Sequence, residues 1–396
     1  MTQWPIQPGR AGYESLMGLT VAGLVAGSIQ SFALVWPAAG LPVIADDFSA
    51  PANRFAWWVL ETGFGAVFPI LLAICFGAWL AALDRAPQPF GGRQWSCLAW
   101  LLPIGLVHAY LFWFGDLLVP FALAGLIAAA GARMSLYSRL ALGLGLIVFT
   151  ALIVFAGSAI GAIIRDSMSS AQALGFPPER VAGLNAIYQS GFLARLPSNM
   201  GFALMNHLVQ IVFMGGGIAG VMLVGMVALD SGFLTLRWTP MQYAVSAATA
   251  LGLGLPLCGW ANLHLMEAGF APAAFGPAVA AKCLGVPCLA YGYAALVMLA
   301  CQSGRLTPVT DAFASLGRVW LSAYLGSSVV LVLVFSGIPG LSLFARMPRA
   351  GLLVLALALA AGLVFAARWW TRTGRPGPAE WAWTALVMRE RAGPPG

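Results

Sequence analysis

Long apolar segments alternate with short polar punctuation along the whole chain. No formal charge occurs from Ser15 to Ala45, Thr62 to Leu83, Leu140 to Ile164, Leu196 to Leu229, Cys283 to Gly304, Val319 to Ala345 or Ala350 to Ala367. Each run reaches the length a helix needs to cross a hydrocarbon layer about 30 Å thick, near 20 residues. The pattern predicts ten spans, near 14–36, 57–83, 96–114, 117–132, 140–164, 200–229, 240–262, 279–301, 319–344 and 350–370. The third and fourth are separated only around Phe114, Gly115 and Asp116, which suggests a tight hairpin with a tilted or partly re-entrant member. The gap from 165 to 199 holds Pro177, Pro178 and Pro197 and reads as a folded surface loop. No internal repeat of the kind that builds many transporters stands out.

Composition makes the fold class firm. The 396 residues are 60% hydrophobic and 8% charged, whereas an average soluble domain is about 25% charged. So few charges cannot cover a soluble surface of this size. The expected fold is all-α, a polytopic integral membrane bundle of about ten transmembrane helices over residues 1–375. A cytoplasmic or interfacial tail follows over 376–396. The first apolar run is too long for a signal peptide and lacks a cleavage-like end, so it is expected to stay as a span.

The net charge is +7, but the nineteen Arg and one Lys form no stripe, so nucleic acid is not an expected partner. With the N-terminus inside, thirteen Arg fall in inner segments and six in outer ones, Arg349 among the outer six. That bias places both termini in the cytoplasm. The six Cys sit in or beside spans without a CxxC pair and suit small apolar packing. Trp57, Trp58, Trp113, Trp369 and Trp370 suit an interfacial belt. The glycines at 215–217, with Gly220 and Gly225, suit close helix packing.

A polar side chain at membrane depth is costly and marks a candidate site. In this topology His108 lies about two turns below the outer surface and Asp116 at that surface. Asn206 and His207 fall in the outer half of the sixth span, Asn262 and His264 near the outer end of the seventh, and Glu61 at the outer start of the second. All three histidines therefore project to one half of the bundle. His108 and Asp116 are the expected catalytic pair. Either they share a helix face, or Gly115 marks a turn and Asp116 caps the next helix. Asn206, His207, Asn262, His264 and Glu61 are the expected substrate-binding groups. No metal is expected, because no ligand motif such as HExxH occurs.

Several motifs converge on one group. GLVHAYLFWFGDLLVPFALAGL, GVMLVGMVALDSGFL, GRVWLSAYLGSS and GPAEWAWTALV occur in order. With the first span, they resemble the bacterial YeiB-like family of polytopic membrane proteins, known as domain of unknown function 418. One position departs from the family pattern: Met17 stands where an arginine usually precedes Gly18, which removes up to five hydrogen-bond donors. The family resembles, distantly, transmembrane acyltransferases, which implies a bacterial inner-membrane protein that passes an acyl group from a cytoplasmic thioester to an outside acceptor. No tightly bound cofactor is expected; acyl coenzyme A would be a co-substrate entering a polar tunnel. The acceptor would be a small molecule, lipid or glycan. The alternatives are a proton-coupled transporter or exporter, in which His108 relays protons, and a non-catalytic membrane partner or sensor.

Overall fold

The computed structural model describes residues 10–36, 48–86, 93–165, 177–338, 340 and 342–389. Among these, the regular structure is helical throughout. We number the helices α1 (Arg10–Ala33), α2 (Pro51–Asp84), α3 (Gln94–Phe112), α4 (Leu118–Ala130), α5 (Leu136–Arg165), α6 (Pro178–Gln189) and α7 (Phe192–Asp230). The rest are α8 (Pro240–Glu267), α9 (Pro272–Ser303), α10 (Thr307–Gly317), α11 (Trp320–Gly337), α12 (Arg349–Thr371) and α13 (Pro378–Arg389).

Nine of the described helices are long and apolar enough to cross a membrane, and α4 is a shorter apolar one. The chain is a multi-pass membrane protein. The ten expected spans correspond to α1, α2, α3, α4, α5, α7, α8, α9, α11 and α12, with ends shifted by a few residues. The loop from 165 to 199 includes a helix, α6, and its residues 166–176 lie outside the described set. Helix α10 was not expected. Apolar periodicity around Leu306 to Leu316 is too short to stand out beside the spans.

Helices α1 and α2 are the most buried, while α5 and α12 face outward along most of their length. Glycine lets the central helices touch. A Cβ at Gly18 would lie 1.8 Å from the Phe313 carbonyl oxygen, and one at Gly317 would lie 2.0 Å from that of Glu14. Backbones that close exclude any side chain, as in small-residue packing of membrane helices. Gly77 and Gly225 do the same between α2 and α7. Gly217 and Gly220 meet α5, so the expected packing role of that glycine run holds.

Polar contacts sort the helix ends into two faces. On one, Asp230 at the end of α7 binds Arg85 at the end of α2 and Arg139 at the start of α5. Gln94 binds Asp84 there, and Arg318 binds Glu14 at 3.2 Å. Met17 packs in the core, so the guanidinium beside Glu14 comes from Arg318.

Helix α13 docks on this same face. Glu380 is buried and accepts from the backbone N–H of Leu321 at 2.7 Å and of Ser322 at 3.2 Å, capping α11. Burial raises its pKa above the usual carboxylate range, against the lowering pull of those donors. Trp383 is fully buried against Trp79 and Trp320 and donates to the Cys97 carbonyl. The tail is thus a fixed docking element as far as Arg389; residues 390–396 lie outside the described set.

Two expectations about surface residues are corrected. Trp57 and Trp113 are interior, each held by aromatic neighbours, so they are not belt residues. Arg349 is not a loop charge: it is 0% exposed and bonded to Gln30. Counting by sign treats every Arg as interfacial, but a guanidinium with buried partners can lie inside. The six cysteines are all unpaired.

Candidate functional site

The run quoted around His108 folds in an unusual way. Helix α3 ends in a π-helical turn, His108–Phe112, closed by the Trp113 N–H donating to the His108 carbonyl. Trp113 is extended, and the chain turns through Gly115 into α4. A helix end inside a membrane protein must find partners for its last carbonyls. Here α7 supplies them. Asn199 donates to the carbonyls of Ala109 and Tyr110 and accepts from the Phe114 N–H. Arg195 takes the carbonyls of Leu111 and Phe112, and Asn206 takes that of Phe114 at 2.9 Å.

The turn brings His108 and Asp116 together. His108 Nδ1 lies 2.7 Å from Asp116 Oδ1, and the two residues are 2% and 0% exposed. The other oxygen, Oδ2, accepts the Val119 N–H at 2.8 Å. Of the two alternatives read from the sequence, the shared helix face does not hold, because the helix breaks at Trp113; the turn does, and Asp116 caps α4 while also pairing with the imidazole. With Asp116 ionised and the imidazole neutral, the carboxylate can only accept, which puts the proton on Nδ1 and leaves a lone pair on Nε2. Nε2 is buried with no partner. Tyr324 closes the ring's far side at 5.1 Å between centroids, and its hydroxyl accepts the Leu117 N–H. Trp113 stands edge-on to the imidazole, donates to Ser31 and stacks on Phe32 of α1.

His108 lies fourteen positions beyond Gln94, roughly 21 Å along α3 at 1.5 Å per residue, so the pair sits in the half of the bundle remote from α13. A cavity of about 360 Å³ touches His108, between α3, α11 and α13. Its other walls are Trp100, Pro103, Phe112, Leu325, Leu386 and their apolar neighbours. The expected polar tunnel is therefore not what adjoins His108. The side chains that would make it polar, Asn199, Asn206 and Arg195, are turned to the backbone of the α3–α4 connection.

The remaining expected residues divide. His207 is buried, edge-on to Tyr110 at 5.7 Å, with its Nε2 unpartnered. Glu61 does not begin α2. It lies in a π-helical segment, Leu60–Gly65, about 15 Å from Pro51 along the helix. There it accepts from Gln30 at 3.2 Å, and Gln30 in turn takes Arg349. Asn262 donates to Thr62 at 2.9 Å. Gln30 and Ser31 are adjacent on α1, so Glu61, Thr62 and Asn262 form a second polar centre across α1 from His108. His264 stacks flat on Trp260 at 5.0 Å and contacts neither. Among the described residues, no three His, Cys, Asp or Glu side chains gather as metal ligands.

Sequence reasoning missed Tyr324, Asn199, Arg195, Gln30 and Arg349. Only Tyr324 carried a signal, as part of the GRVWLSAYLGSS signature.

The sequence model of the family described as "Protein of unknown function (DUF418)" matches residues 228–390. The "Uncharacterized protein YeiB" of Escherichia coli (strain K12) is 28% identical over 390 residues, covering 96% of each chain. The chain is thus similar to the DUF418 family over its C-terminal part and to YeiB over nearly its whole length. A shorter match, 31% identical over 105 residues and 26% of each chain, is to the "Uncharacterized protein YxaH" of Bacillus subtilis (strain 168). No solved structure matches the fold. The region matched by that family model contains Tyr324 and Glu380, but not His108 or Asp116, which lie upstream of it.

Proposed function

We propose that this chain is an acyltransferase in which His108 is the general base and Asp116 its orienting carboxylate. The observation that carries the reading is the buried 2.7 Å pair, its Nε2 without a partner, in a histidine that lines a cavity. A base so placed can take a proton that water cannot reach. In this reading the acceptor hydroxyl or amine loses its proton to Nε2 as its oxygen or nitrogen attacks the thioester carbonyl. The carbon–sulfur bond then breaks, and the imidazolium returns the proton to the leaving thiolate. An ester or amide and a free thiol result. The donor is an acyl thioester such as acyl coenzyme A, and the acceptor a small molecule, lipid or glycan.

The face that carries α13 is the cytoplasmic one in this reading, in a bacterial inner membrane. The test is purified protein in nanodiscs with labelled acyl coenzyme A of short and long chain. Label transfer or thioester hydrolysis is expected, lost in His108→Ala and kept in His264→Ala. No turnover by folded wild-type protein, across donors and acceptors, refutes it.

The second polar centre favours another reading, proton-coupled transport. Glu61 is a carboxylate at membrane depth bonded to Gln30, which also takes Arg349, an arrangement suited to exchanging a proton for a solute. Substrate flux in proteoliposomes that follows a pH gradient and stops in Glu61→Gln would support it over the first.

A further inference from the structure

The cavity beside His108 has a shape and a chemistry that narrow what can enter it. It follows α3 from Trp100 to Phe112, twelve residues or roughly 18 Å of helix, and Leu386 of α13 closes one end. Leu325 and Val329 of α11 form the facing wall. Val107, at its mouth, is 55% exposed on a membrane-spanning helix, so the mouth opens sideways to hydrocarbon between α3 and α11. About 360 Å³ is within the range of real ligand pockets, roughly 300–1,000 Å³.

Water is a poor occupant, because a buried water needs two to four polar partners and the walls of this slot are apolar apart from His108. A sugar or nucleotide would lose its hydrogen bonds there without replacement. A linear hydrocarbon loses nothing, and its polar end would lie beside His108.

We infer that this slot binds an unbranched aliphatic chain whose polar end lies beside His108. This rests on the acyltransferase reading for its purpose but not for its geometry. The chain is either that of a long acyl thioester or that of a membrane lipid entering through the lateral mouth.

Photolabelling separates these sources and the underlying reading. The full chain in nanodiscs is exposed in turn to palmitoyl coenzyme A and to a phosphatidylglycerol, each with a diazirine on the chain, and the labelled peptides are mapped. Label is expected within α3 and α11. It should be largely lost in Val329→Trp, which fills the slot, and kept in Val330→Trp, which points outward, both checked for a monodisperse profile. Label from the thioester alone identifies the donor chain, and label from the phospholipid alone identifies a lipid. His108→Ala should keep the label while losing transfer. If slot label appears without any turnover in the wild type, the slot stands and the acyltransferase reading falls. Equal label in Val329→Trp and wild type, label elsewhere only, or acyl transfer undiminished in Val329→Trp overturns the inference.

Discussion

Asp116 holds His108 and the Val119 N–H closely and the Tyr324 hydroxyl at 3.5 Å, and replacing it by Asn or by Ala separates its structural role from its chemical one. In Asp116→Ala the Val119 N–H loses its cap and His108 Nδ1 loses its partner. A lost cap costs about 0.5–2 kcal/mol and an unsatisfied buried donor about 1–3 kcal/mol, so the sum is about 2–5 kcal/mol. Asn keeps the cap with its carbonyl oxygen, and its NH₂ then faces Nδ1. That nitrogen must now accept, which moves the ring proton to Nε2. Both hydrogen bonds survive, so the stability cost should stay under about 1 kcal/mol, within the usual net worth of one bond. The base is nevertheless blocked, and transfer should fall by about 10²–10⁴, the usual weight of a general base or of a wrong tautomer. Thermal unfolding in detergent should rank wild type close to Asp116→Asn and well above Asp116→Ala, while acyl transfer should rank both variants far below wild type. An Asn variant that unfolds as early as the Ala variant would refute the two-bond account. An Asn variant with wild-type turnover would refute Nε2 as the base.

Other consequences follow from particular contacts. Gly317→Ala and Gly18→Ala force the α1 and α10 backbones apart by more than 1 Å from contacts of 2.0 and 1.8 Å, and should abolish monodisperse protein on size exclusion; normal elution would show that the helices part easily. Asp230→Ala strands the buried Arg139 and should cost about 3–5 kcal/mol, as breaking a buried pair does, whereas Arg85→Ala, half exposed, should cost under about 1 kcal/mol; equal melting shifts would contradict this. Burial raises the Glu380 pKa, so its protonated form is favoured in the docked state. The resulting stability is full below the usual carboxylate value and is lost as pH rises through the raised one. Protease protection of α13 should therefore weaken as pH rises through that window and become flat in Glu380→Gln; protection that weakens on acidification would reverse the sign. His264→Ala should leave both stability and transfer near wild type, because the ring only stacks on Trp260.

The sequence alone determined the solvent. Charge-free runs of span length, in a chain with so few charges, fix a multi-pass helical bundle, because a helix is the only open segment that satisfies its own backbone in lipid. His108 and Asp116 were also legible there, since imidazole and carboxylate are too costly in an apolar run to be incidental. Their contact was not legible. Eight residues apart on a regular helix they would be far beyond 2.7 Å, and only the π turn and the break at Trp113 fold one back on the other. That break exists because Asn199, Asn206 and Arg195, some ninety residues later, accept the burden of its unpaired backbone.

Tertiary structure likewise decided that Glu61 and Asn262 belong to a different centre from His108, with α1 between them. It also turned Arg349 from a loop charge into a buried partner of Gln30, and closed an apolar slot with the tail helix α13. Hydrophobic pattern specifies which segments leave water. Which polar groups then meet depends on side-chain directions across helices distant in sequence, and a one-dimensional pattern does not hold that information.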